Sequence, residues 1–181
     1  NDGGWTTELA RSADRMGTDF RWRVSIAEIE GDGPFSLFPG VERELLLLDG
    51  TGIELDIGDA PARRLSRRFE HIRFDGAAHV HCRLLAGPTR DFNVMAKPDA
   101  VRAEVVARPL VGAMMMFAEP RTEWLVHLLS GHAQARRDDE RAVLQAGDSL
   151  HLDFRGGTDA KRVVLAGAGE AVFARFVALD G

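Results

Sequence analysis

The side chains best suited to chemistry fall in three short stretches. In "WRVSIA" (22–27), Arg23 and Ser25 stand two residues apart, so on a strand they share one face, opposite Trp22, Val24 and Ile26. In "GPFSLFPGVERELLLLDG" (33–50), the Pro39-Gly40 pair reads as a tight turn that presses Phe35 and Phe38 against a ligand or the core. Arg43 follows at the start of an apolar strand. In "GPTRDFNVM" (87–95), Asp91 and Asn93 are again two apart, with Phe92 and Val94 on the other face. A guanidinium presents parallel N–H donors to a carboxylate. Asn93 brings a donor and an acceptor suited to an amide or formyl group, and Asp91 an anchor for an arginine. Two readings stand. In one, Arg23, Ser25, Phe38, Arg43, Asp91 and Asn93 line a pocket for a small carboxylic acid. In the other, Arg23 and Ser25 face solvent, while Asp91 and Asn93 brace the preceding turn through side-chain to backbone bonds. Burial discriminates, because buried arginines without an anion are costly.

Other constellations are weaker. "HVH" sets His79 and His81 on one strand face, a pair that suits zinc, iron or manganese. No carboxylate follows until Asp91 and no histidine before His127, so the pair lacks further ligands and we expect neither metal nor cofactor. His127, His132 and His151 are isolated and read as hydrogen-bonded packing residues. No Walker loop, GxSxG or GxGxxG occurs, and no catalytic residue is assigned. The enzymatic alternative is an isomerase or hydrolase acting on a similar acid, with His79 or His81 as general base. The single cysteine, Cys82, excludes an internal disulfide and reads as a small buried apolar residue.

The elements that must position these residues are strands. Apolar runs are short, rich in Val, Ile, Leu and Phe, and punctuated by Gly, Asp or Pro, while helical periodicity is scarce. The predicted strands are 21–30, 44–50, 52–57, 62–67, 79–87, 91–97, 102–109, 114–119, 122–131, 132–137, 142–147, 149–154, 161–167 and 171–180. This spacing predicts an antiparallel, all-β sandwich or barrel. Segments 44–57 and 123–139 look like copies, each opening on a glutamate and turning at Gly50 or Gly131, which suggests duplication of one supersecondary unit. Met114 to Met116 read as core or homodimer filling. The net charge of −5 over 181 residues offers no cationic field for nucleic acid or an anionic membrane. No signal peptide or apolar span of about 20 residues is evident, so the cytoplasm is expected.

The strand, glycine turn, second strand and "GD" corner of 123–154 are similar to the cupin superfamily. Three segments go further: "GGWTTELA" (3–10), "FRWRVSIAEIEGDGPFSLFPGVERELLLLDGTG" (20–52) and "FDGAAHVHCRLLAGPTRDFNVM" (74–95) resemble the HutD/Ves family of bacterial bicupins. The resemblance implies two tandem cupin-type jelly-roll barrels (RmlC-like) packed as one compact unit, an N-terminal barrel over 1–109 and a C-terminal one over 110–181, an arrangement that allows strands to be exchanged between the two. It also implies a cytoplasmic, metal-free protein, encoded with histidine-degradation enzymes, that binds a pathway acid such as N-formylglutamate and tunes flux.

Overall fold

A computed structural model of the chain describes residues 4–13, 19–156 and 162–179. Every regular element in them is a β-strand, as the β-branched and aromatic runs predict. Among the described residues no helix is long and apolar enough to cross a membrane. The chain divides into two compact units, Asn1–Asp99 and Ala100–Gly181.

The first unit contains β1 (Gly4–Ala13), β2 (Phe20–Ile29), β3 (Gly33–Pro34), β4 (Glu42–Asp49), β5 (Ile53–Ile57), β6 (Arg63–Leu65), β7 (His71–Asp75), β8 (Val80–Leu84) and β9 (Thr89–Ala96). They form two antiparallel sheets, ordered β1-β2-β9-β4-β7 and β3-β8-β5-β6. A core of Leu45, Leu47, Ile72 and Phe74 from the first sheet and Ile53, Leu55, Val80 and Cys82 from the second joins them. The second unit contains β10 (Val101–Phe117), β11 (Thr122–Arg137), β12 (Glu140–Gln145), β13 (Ser149–Asp153) and β14 (Arg162–Ala178). Its order is β10-β14-β11-β12, with β13 also paired to β11. Its core includes Leu110, Met116, Val126, Leu128, Leu144, Phe154, Leu165 and Phe173.

Two sequence expectations change. The sheets do not close into barrels: in the first unit the chain leaves one sheet at the turn after Asp49 and continues as β5 in the other, so the hydrogen-bonded ladders stay separate. The predicted pairs 102–109 with 114–119, 122–131 with 132–137, and 161–167 with 171–180 are single long strands, β10, β11 and β14. The glycines that read as turns are bends within continuous ladders. Gly131 faces Gly169 across β11 and β14, and a Cβ on either would lie 1.9 Å from a carbonyl oxygen of the partner strand. β10 runs unbroken through residue 109, and the division of the chain falls between Asp99 and Ala100.

The pairing within the second unit repeats that of the first. β9 lies between β2 and β4 as β14 lies between β10 and β11, and the β4–β7 and β5–β6 pairs correspond to β11–β13 and β11–β12. The two glutamates that open the sequence copies play one part. Glu44, buried, meets His71 Nδ1 and accepts from Arg73, each at 2.7 Å. Glu123, also buried, meets His151 Nε2 at 3.0 Å and Arg155 Nε at 3.2 Å. Each carboxylate is thereby satisfied where burial would otherwise be costly.

Candidate ligand-binding site

Three adjacent strands build the site. In the β2–β9–β4 ladder, Ser25 stands opposite Asn93, Ala27 opposite Asp91, and both Arg23 and Arg43 opposite Met95. Directly opposed residues point to the same side of a sheet. The register therefore gathers Arg23, Ser25, Arg43, Asp91 and Asn93 on one face, while Trp22, Val24, Phe92 and Val94 are buried on the other. These polar side chains line a cavity of about 270 Å³ in the first unit, together with Phe35, Phe38, Cys82 and Met95. All six residues singled out in the sequence border this one space.

The segment before β4 forms the cavity's aromatic wall. Phe38 N donates to Gly76 O and Gly76 N to Val41 O, both at 2.7 Å, and Val41 N closes the turn onto Phe38 O at 3.2 Å. Only glycine fits under this turn, since a Cβ at position 76 would lie 2.5 Å from Phe38 O. The turn holds Phe35 and Phe38 against Arg43. The Arg43 guanidinium carbon lies 5.1 Å from the ring centres of Phe35 and Phe74 and 5.6 Å from that of Phe38, within cation–π range.

Arg43 is only 5% exposed. Its NH1 donates to Ser36 O at 3.3 Å, and its Nε has no hydrogen-bond partner. Burial pulls its pKa down to about 10, with Asp91 opposing the shift and Arg23 adding to it, so it stays protonated at neutral pH. Asp91 is 1% exposed and its Oδ1 is without a partner, as is Oδ1 of the buried Asn93. Burial pushes the Asp91 carboxyl up to about 7, and the field of Arg43 offsets only part of this. Among the described residues no hydrogen bond joins Asp91 to Arg43, so Asp91 does not anchor the arginine as the sequence suggested; the two act through space. Nor do Asp91 Oδ1 and Asn93 Oδ1 brace the turn.

Arg23 differs from its expected state. Its Nε donates to Glu8 Oε2 at 2.7 Å, with the Arg23 side chain 23% exposed, so this Nε is paired at the rim while Arg43 Nε is the unmet hydrogen-bond donor inside. Glu8 was missed in the sequence because its role depends on β1 pairing with β2, where Glu8 opposes Ser25. Cys82, fully buried, also lines the cavity. Burial pushes its thiol up to about 12, with Asp91 and Asp32 adding to the shift, which removes it as a nucleophile. Its inward position was legible in its alternation with His81. His79 and His81 are exposed and lie outside the cavity lining, which separates the general-base candidates from the site. Among the described residues no cluster of three or more His, Cys, Asp or Glu side chains could hold a metal ion.

In the second unit the positions matching Asn93 and Ser25 carry an ion pair, although Arg175 Nε, like Arg43 Nε, has no hydrogen-bond partner. The pair corresponding to Asn93 and Ser25 is Arg175 and Glu104, which form an ion pair at 3.4 Å, and Arg175 also bonds Glu119.

The HutD family model matches residues 1–173. A 21.2 kDa protein encoded in the hutC 3′ region of Pseudomonas putida is 40% identical over 105 residues, 58% of this chain and 55% of that protein. Protein Ves of Citrobacter koseri is 42% identical over 88 residues, 48% of this chain and 46% of that protein. The match thus spans about half the length of these curated relatives. The structure of HutD from Pseudomonas fluorescens SBW25 superposes with a TM-score of 0.79 at 28% identity, covering 98% of this chain and 90% of that one. A cupin 2 conserved barrel domain protein from Leptotrichia buccalis, 10% identical, shares the fold with a TM-score of 0.58, covering 97% of this chain and 89% of that one.

Proposed function

Because the chain belongs to the HutD family, we propose that its first unit binds a small carboxylic acid, an N-formylglutamate-like intermediate of histidine degradation, and thereby tunes histidine utilisation in the cytoplasm without a metal. The observation that carries this reading is Arg43: a buried guanidinium with an unpartnered Nε, bordering a cavity whose other buried polar atoms, Asp91 Oδ1 and Asn93 Oδ1, are also unpartnered. Such groups are costly unless something completes their hydrogen bonds. An acid that also carries an N–H fits the set, its carboxylate on Arg43 and its amide near Asn93. A cavity of about 270 Å³ is slightly below the range of about 300–1,000 Å³ for drug-sized ligands, which suits a metabolite. The hutC-region name of the Pseudomonas putida relative and the HutD name of the Pseudomonas fluorescens structure support the pathway.

The repeated strand pairing supports a tandem, bicupin origin for the two units, with Arg175 and Glu104 paired in the second where Asn93 and Ser25 border the cavity of the first. A thermal-shift screen of the chain with N-formylglutamate, urocanate, histidine, glutamate and formiminoglutamate, run with divalent metals and with a chelator, tests the proposal. A ligand at about 100 times its Kd stabilises by roughly 2.7 kcal/mol, or about 5–10 °C here. The expected result is a shift of that size for one acid that chelator leaves intact. A shift with metal alone overturns it.

A further inference from the structure

Resting on the acid-binding reading above, we propose that the cavity takes up its acid together with one proton from solvent, and that Asp91 holds that proton. Asp91 is almost wholly buried and Oδ1 is unpartnered, in the same space as the Arg43 Nε that would receive the acid's carboxylate. The acid's carboxylate on Arg43 and the Asp91 carboxylate then share one buried space, in which Arg43 and Asp91 are 5% and 1% exposed. Like charges that share one buried space do not both stay ionised.

Among the described residues, the other groups around Asp91 leave Arg43 as the one buried cation to relieve this. On β2, Arg23 is bound to Glu8 of β1. Glu28, also of β2, lines the cavity and adds negative charge, and it is paired with Arg90 at 3.6 Å. On β8, Cys82 is held protonated by burial, and Asn93, which lines the cavity from Asp91's own strand, is neutral. On β4 there is Arg43 alone. Protonation turns the carboxylate into a donor: the Asp91 hydroxyl then donates to the ligand, while Asn93 Oδ1 remains free to accept from a ligand N–H.

The direction of the pH dependence follows. In the free protein burial already lifts Asp91 to about 7, and a bound anion lifts it further. Below pH 7 Asp91 is protonated in both states and affinity is level. Above pH 7 the free protein gives up a proton that the complex retains, so affinity falls by up to about tenfold per pH unit. A site that merely tolerates Asp91 as a carboxylate has no such slope.

Isothermal titration of the full chain with N-formylglutamate from pH 6 to 9, in two buffers of different ionisation enthalpy, tests this. The expected result is uptake of close to one proton per acid at pH 8, with affinity about tenfold weaker at pH 8.5 than at pH 7.5. Asp91→Asn, whatever its affinity at pH 6.5, has a flat profile. Binding by the unaltered chain with no proton uptake and no slope overturns the coupling and leaves the acid-binding reading standing, with no dependence on how the variant folds. An Asp91→Asn profile that keeps the slope also overturns it. Absence of binding at every pH overturns both.

Discussion

Replacing Asp91 by Asn isolates the energetic consequence of burying this carboxylate. Its pKa rises from the ordinary 3.8 to about 7 on folding, because burial disfavours the charged form more than Arg43 restores it. A group raised in this way contributes its full stability below the unfolded pKa and loses it as pH rises through the folded one. Roughly three units at about 1.4 kcal/mol each give about 4 kcal/mol lost between pH 4 and pH 7. Asn has the same shape and does not ionise. The variant is therefore expected to be more stable than the parent by up to about 4 kcal/mol at pH 8, of order 10 °C in Tm, and to match it near pH 4. Chemical denaturation of both chains, without ligand, at pH 4, 6 and 8 measures the difference. Parallel stability curves for the two chains across this range refute the reasoning, since they mean that Asp91 is ionised and satisfied in the native state.

Other outcomes follow from single contacts. Gly76→Ala pushes a Cβ to within 2.5 Å of Phe38 O and is expected to destabilise by about 1–3 kcal/mol, with weakened acid binding because the aromatic wall shifts; denaturation and titration read the two effects. Cys82 is fully buried and its thiol lies at about 12, so iodoacetamide at pH 8 is expected to leave it unmodified by mass spectrometry until denaturant is added. Glu8→Gln releases Arg23 at the cavity rim and is expected to favour dicarboxylates over monocarboxylates by several-fold, measured by competition between glutarate and butyrate.

Much of the site was legible because strand alternation is a strong constraint. Once 21–30 and 91–97 read as strands, Arg23 with Ser25 and Asp91 with Asn93 had to share faces, and the register of β2 with β9 then brings those faces together. Which arginine keeps unmet donors was not legible. Arg23 is satisfied by Glu8 through pairing of β1 with β2, a ladder that carries a bulge between Glu8 and Ala10 and has no strong signal in "GGWTTELA". The support of the Phe38 turn by Gly76 joins residues 38 apart in sequence, which no local pattern announces. The glutamates opening the two sequence copies were visible, and their shared bonding to a histidine and an arginine gives that repeat a physical basis. From sequence the long strands look like pairs because glycine usually marks a turn, whereas at Gly131 and Gly169 it permits two backbones to approach within a continuous ladder.

The most direct test of the account is the affinity of N-formylglutamate for the chain and for Arg43→Ala at pH 6.5, by isothermal titration. Removing one partner of a buried charge-assisted contact costs about 2–5 kcal/mol. One site on the unaltered chain and a loss of about 30-fold or more in the variant are expected, with the fold of the variant checked by circular dichroism because Arg43 also packs on Phe35, Phe38 and Phe74. Equal affinity in both chains, or no binding to the unaltered one, contradicts the account.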